Sequence, residues 1–167
     1  SVIIAAIEGG RVIVDNLRKV VTFLLSTGFT EIVLIGGALM VGLPLPVLPA
    51  QILWANLIEE GFMNFAFAFE PKESDIMGRA PRAHSSRQIL TREMLWIIFG
   101  VGMITNLFLF ILFASLIYLE YPIQEIRTMM FAGLAIDAIF FVYPLKSLRE
   151  PLWKINLFSN PYLLIAN

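Results

Sequence analysis

The sequence predicts an all-α fold, a polytopic transmembrane helical bundle with four spanning helices, the truncated start of a fifth, and a cytoplasmic stalk extending the first. Three observations predict it. The chain is 58% hydrophobic and only 15% charged over its 167 residues, where an ordinary soluble domain carries about a quarter charged residues; its mean hydropathy is +0.80. The apolar residues gather into stretches of the length, about 20 residues, that crosses a ~30 Å hydrocarbon core. The charges are bunched between those stretches, and the basic ones fall on alternate loops.

The first helix has two parts. Residues 1–19 read as a stalk, because Ile3 to Lys19 contains no proline and runs without a break signal into an apolar span over 20–43. A helix of that combined length measures about 58 Å at ~1.5 Å per residue, so its first half extends beyond a ~30 Å core. GLPLPVLPA follows, and its three prolines end the helix in a tight extended turn. Further spans are expected over 51–69, 93–119 and 126–143, with a fifth starting at Pro161 and cut off at 167. Residues 20–167 form one membrane region in this reading. The alternating phenylalanines of GFMNFAFAF resemble a strand, but a lone strand in lipid leaves its backbone unsatisfied, so helix is favoured.

Orientation follows from Lys and Arg. Arg11, Arg18 and Lys19 precede the first span, Lys72, Arg79, Arg82, Arg87 and Arg92 fill the second loop, and Lys146, Arg149 and Lys154 the fourth. That places eleven of twelve basic residues on one side, with Arg127 alone near the other. The positive-inside rule makes the crowded side cytoplasmic, so the stalk and the loops 70–92 and 144–160 face the cytoplasm. Tryptophans and tyrosines such as Trp54, Trp96, Trp153 and Tyr118 fall near span ends, as interfacial anchors do.

Other classes are disfavoured. A net charge of −1 and the lack of basic repeats point away from nucleic acid. There is no cysteine for a disulfide or thiol metal site. His84 is the sole histidine and sits in a polar loop, which reads as a solvated residue. The chain starts at Ser1 without a leader and stops a few residues into an apolar run, so it is expected to be a fragment of a longer polypeptide.

Four acids interrupt the apolar spans. Glu31 lies eleven residues past Val20, Glu59 and Glu60 eight and nine past Gln51, and Asp137 eleven past Ile126. At ~1.5 Å per residue these depths are about 12–16 Å, near the midplane of the core. An ionisable group there costs a few kcal/mol or more, so four such groups are expected to converge on a shared site rather than face lipid. Carboxylates with Asn56 and backbone carbonyls are hard oxygen ligands suited to Ca²⁺ or Mg²⁺, and also to Na⁺ or protons. The plainer alternative, protonated acids that only pack helices, accounts for one acid more readily than for four at one depth. Gly61 in mid-span suggests an unwound segment near Asn56–Gly61 that offers carbonyls to an ion, as in discontinuous transporter helices; a close-packing glycine explains it equally well. Gly28 and the Gly36–Gly37 pair are expected to permit close helix approach.

At these residues the chain resembles the C-terminal membrane half of a P-type cation-transporting ATPase of the calcium-pump and sodium-pump branch, from the fifth helix to the start of the ninth. AAIEGGRVIVDNLRKVVTFLLSTGFTEI resembles the family's stalk and fifth membrane helix, GLPLPVLPAQILWANLIEEGF the luminal turn and sixth helix, FEPKESDIMGRAPR the loop that follows, and KINLFSNPYLL the approach to the ninth. The resemblance implies that Glu31, Asn56, Glu60 and Asp137 are cation ligands, with Glu59 as an added acid where calcium pumps carry threonine. Gly28 stands where those pumps have asparagine, so one neutral ligand is lost and one carboxylate gained. It further implies a transported cation, with Ca²⁺ favoured and Na⁺ or H⁺ open. ATP and Mg²⁺ would act in domains outside this chain, which has neither the Asp-Lys-Thr-Gly-Thr phosphorylation motif nor a P-loop. The expected partners are the lipid bilayer, the remaining membrane helices and the cytoplasmic domains of the same pump. A stalk continuous with the site would carry their motion to the ligands. The rival reading is a passive channel or a non-catalytic membrane subunit.

Overall fold

In a computed structural model, residues 2–73, 75–78, 90–147, 156 and 159–166 are described. Much of the basic loop, including Arg79, Arg82, Arg87 and His84, lies outside them, as do Arg149, Trp153 and Lys154. Among the described residues the chain is helical with no strand: α1 (Val2–Met40), α2 (Pro49–Trp54), a π-helical turn (Ala55–Glu59), α3 (Glu60–Ala68), α4 (Arg92–Trp96), a second π-helical turn (Ile97–Val101), α5 (Gly102–Tyr118), α6 (Ile123–Leu145) and α7 (Pro161–Ala166).

The expected continuity of stalk and first span is met by one unbroken helix of 39 residues. Among the described residues three helical runs are long and apolar enough to cross a membrane: Val2–Met40, Arg92–Tyr118 and Ile123–Leu145. The expected second span takes a different form, with α2, the π turn and α3 following one another without a gap from Pro49 to Ala68. Their six, five and nine residues reach on the order of 30 Å end to end. The chain around Asn56–Gly61 therefore does not unwind. It stays helical and widens by one residue, with the Glu60 N–H donating to the Ala55 carbonyl five residues back. Such π turns inside α-helices are frequent at functional sites.

Two turns close with the same hydrogen-bond pattern. After α1 the Leu43 N–H donates to Ala38 O and the Gly42 N–H to Leu39 O; after α5 the Tyr121 N–H donates to Leu116 O and the Glu120 N–H to Ile117 O. Both are Schellman caps, which require a left-handed residue at their centre. Gly42 has φ 73° and Glu120 has φ 57°, so the second cap carries a Cβ at a position where an L-residue is disfavoured by about 1–2 kcal/mol. Glu120→Gly is expected to stabilise the protein by about 1 kcal/mol, read as a shift in unfolding midpoint in detergent, and Gly42→Ala to destabilise it.

Among the described residues apolar side chains pack in two separate clusters. One joins Phe23, Met63, Phe67, Phe141, Leu145 and Leu163; the other joins Leu34, Ala38, Val47, Phe113, Ile126 and Met130. The order along α1 and α6 places these at opposite ends of the bundle, with buried Ser26, Thr27, Thr30, Glu60, Asn106 and Asp137 in the layer between. Large apolar residues such as Leu53, Phe62, Phe65, Phe108 and Ile111 are exposed on the outside, as a helical membrane bundle requires. Close helix approach comes from Gly37, Gly102 and Gly133, where an added Cβ would stand 3.0–3.1 Å from Phe110, Phe29 and Leu109. Gly28 and Gly36, expected to do the same, have no described neighbour within 4 Å of such a Cβ.

Candidate cation site

The polar layer is assembled by α1, the π turn with the start of α3, α5 and α6. On α1 the hydroxyls of Thr22, Ser26 and Thr30 lie four residues apart along one buried face, each donating to the carbonyl one turn back: Arg18 O at 2.8 Å, Thr22 O at 2.8 Å and Ser26 O at 3.3 Å. Back-bonding of this kind satisfies a hydroxyl inside an apolar bundle. It also brings the Thr30 hydroxyl 3.2 Å from Asp137 Oδ2 on α6, a bond it makes in alternation with Ser26 O. From α5, Asn106 donates to Gly102 O at 2.7 Å and to Thr30 Oγ1 at 3.5 Å.

Asn56, in the π turn, lies between two carboxylates. One end of its amide is 3.5 Å from Glu31 Oε2, and the other is 3.2 and 3.3 Å from the two oxygens of Glu60. An amide has one donating and one accepting end. Turned to donate to Glu60 it makes two contacts, and its carbonyl then faces Glu31, oxygen against oxygen. A proton or a cation between them removes that repulsion.

Glu31, Glu60 and Asp137 line a common cavity of about 20 Å³, together with Thr27 and Thr30. A space of ~10–15 Å³ accommodates one water-sized guest, so the cavity has room for a single desolvated ion. Glu60 and Asp137 are buried, Glu31 is partly buried and Asn56 is exposed. Among the described residues no three acidic or histidine side chains are drawn to ligating distance of one point. The acids are instead bridged by neutral groups, Asn56 between Glu31 and Glu60 and Thr30 beside Asp137. Glu59 belongs to the same π turn, and its side chain lies outside the described set.

Four of the five residues singled out in the sequence thus meet around one small cavity or its rim. The sequence reading missed Thr27, Thr30 and Asn106. A signal existed for the first two, since LLSTGFTE puts Thr27 one helical turn before Glu31 and Thr30 one turn after Ser26. Nothing in the sequence marked Asn106, because its role depends on how α5 lies against α1. Arg127, the one basic residue expected on the far side, is not near the acids: its Nε donates to Leu45 O at 3.2 Å, tying the start of α6 to the proline-rich turn.

Comparison with known proteins gives one family. The model described as "Cation transporting ATPase, C-terminus" matches residues 44–167. A protein of Mycobacterium bovis named "Probable cation-transporting ATPase F" is 32% identical over 165 residues, covering 97% of this chain and 18% of that protein. The "Calcium-transporting ATPase" of Bacillus subtilis is 31% identical over 164 residues, covering 97% and 18%; the "Calcium-transporting ATPase 1" of Bacillus cereus is 29% identical over 182 residues, covering 99% and 20%. The chain spans about a fifth of the length of these curated relatives. With the helical bundle, the outward apolar faces and the ordered sequence motifs, this places the chain in the P-type cation-transporting ATPases, as part of their C-terminal membrane region.

Proposed function

We propose that this chain is the cation-binding and translocating part of an ATP-driven pump, and that Glu31, Asn56, Glu59, Glu60 and Asp137, with Thr27 and Thr30, hold the cation during transport. The observation that carries this is the meeting of three carboxylates from three separate helices at one ion-sized cavity. Lipid-facing acids at this depth would be expensive, and side chains gathered only for packing would not need to be acidic. Ca²⁺ is the favoured cargo: it takes 6–8 oxygen ligands at about 2.3–2.6 Å, and four carboxylates, an amide and two hydroxyls supply oxygens of that kind. The names of the Bacillus relatives agree with this choice.

In this reading α2, the π turn and α3 together make a fourth crossing, and the first nineteen residues are a cytoplasmic stalk. ATP and Mg²⁺ act in domains of the intact pump outside this chain, and the stalk passes their motion to the site. Since α1 is one helix from Val2 to Met40, a displacement at its start moves Thr27, Thr30 and Glu31 without a hinge to absorb it. Binding then requires a small closure, because the acids line the cavity without yet converging on one point.

The test is a metal screen of the intact pump's ATPase activity, comparing Ca²⁺, Mg²⁺, Mn²⁺ and Na⁺, with Glu31→Gln as the site variant. Activation by Ca²⁺ that weakens at least tenfold in the variant supports the assignment; unchanged cation dependence removes Glu31 from the site. Thr30→Val deletes the donor to Asp137 and keeps the shape of the side chain. Hydrogen bonds to charged groups contribute about 1.5–3 kcal/mol, so the half-activating cation concentration is expected to rise roughly tenfold.

A further inference from the structure

At the end of the bundle away from the α5–α6 turn, a second set of polar groups is buried that the cation site does not use. Glu70 follows α3, Lys146 ends α6 and Asn160 immediately precedes α7. Side chains like these at the end of a helix normally reach out to water, yet the three are 5%, 3% and 0% exposed. Lys146 Nζ lies 3.0 Å from Glu70 Oε1, an ion pair off the line of a regular hydrogen bond. Asn160 donates to Glu70 Oε2 at 2.6 Å and to Ala66 O at 2.9 Å, while its own oxygen accepts from the Tyr162 and Leu163 N–H groups and so caps α7. The Glu70 main-chain carbonyl accepts from Asn16 of α1 at 2.9 Å, and the same amide reaches Ala68 O at 3.1 Å. Lys19 of α1 pairs with Glu73 at 3.4 Å just beyond. Four helices therefore meet at one residue.

We infer that Glu70, Lys146 and Asn160 form a clamp that holds Glu60 and Asp137 at the separation cation binding needs; the inference rests on the transport reading above. Burying an ion pair is often no more stabilising than filling the same space with apolar side chains, so stability alone does not explain it. A network with its partners in place specifies a single arrangement. The lever lengths match as well. Glu60 lies eight residues before the end of α3 at Ala68 and Asp137 eight before the end of α6 at Leu145, about 12 Å along each helix. Both helices are thus pinned at one point and carry their acids at nearly equal distances from it. Phe67, Phe141 and Leu145 fill the space between, so sliding at the pin passes to the cavity. Glu70, Lys146 and Asn160 are positioning residues, since none of them lines the cavity.

The experiment uses the intact pump with Ca²⁺ as the probe. Releasing the clamp lowers the fraction of molecules in the binding-competent arrangement, and apparent affinity falls by that fraction. Glu70→Gln and Lys146→Gln are each expected to raise the half-activating Ca²⁺ concentration about tenfold while the maximal rate stays within about twofold, and Lys146→Arg, which keeps the charge, to stay near wild type. Amide exchange at Tyr162 and Leu163 should quicken in Glu70→Gln, because Asn160 loses the partner that orients it. Should Glu70→Gln not fold, Glu70→Asp retains the charge with a shorter reach and is expected to shift the half-activating concentration by a few-fold. Wild-type Ca²⁺ dependence in these variants, with cation activation still weakened in Glu60→Gln, overturns the clamp and leaves the transport reading standing. Absence of cation-stimulated hydrolysis in the unmodified pump overturns both.

Discussion

Replacing Glu60 by Gln is expected to weaken cation activation of the intact pump by about a hundredfold or more. The side chain is buried at the start of α3, lines the cavity with Glu31 and Asp137, and is contacted by the Asn56 amide. Gln preserves size and hydrogen-bonding capacity but removes the charge that faces the cation. Taking away one partner of a buried charge pair costs about 3–5 kcal/mol, and every 1.4 kcal/mol is roughly tenfold in affinity. The lower end of that range already gives a hundredfold. The measurement is Ca²⁺-dependent ATP hydrolysis over a wide concentration range, with phosphorylation by ATP in saturating Ca²⁺ as a control that the catalytic domains are intact. A half-activating concentration within threefold of wild type would remove Glu60 from the ligand set.

Phe67→Ala is expected to destabilise the membrane region by about 3 kcal/mol. Phe67 is fully buried and packs its ring 5.6 Å from that of Phe23, in the apolar cluster joining α1, α3, α6 and α7. Large-to-small core changes at aromatic positions cost about 3–5 kcal/mol in water-soluble proteins. The low end applies here because lipid is as apolar as the core, leaving the lost packing and the cavity as the main terms. Phe65, two residues earlier on the same helix, is 72% exposed. Phe65→Ala should therefore change stability by less than about 0.5 kcal/mol, as surface substitutions commonly do. Unfolding midpoints of both variants in the same detergent check the contrast, and equal effects would mean that the inward face of α3 has been misassigned.

Much of the helix plan was legible in the residues. The apolar runs, the proline-rich turn and the unbroken stretch from Ile3 onward were enough to predict α1, the run from α4 to α5 and α6 to within a few residues, because hydrophobic length and helix breakers are local properties. The run over 49–68 was legible as helical but not as π-interrupted. A one-residue widening leaves the same composition and nearly the same length, and it is decided by which side chains must face inward at Asn56 and Glu60. Gly28 and Gly36 were misread for a related reason: a glycine permits close approach, but only the neighbouring helix decides whether it is used.

By itself the sequence determined that the chain is a helical membrane region with acids at a common depth, since burial cost and helical rise act along one dimension. Tertiary structure decided which groups meet. The cavity shared by Glu31, Glu60 and Asp137, the hydroxyls of Thr27 and Thr30 beside them, and the clamp at Glu70 each join residues from different helices. Their relative rotation is set by side-chain packing between helices, at Gly37 on Phe110, Gly102 on Phe29 and Gly133 on Leu109, and such contacts leave no periodic trace in a single chain.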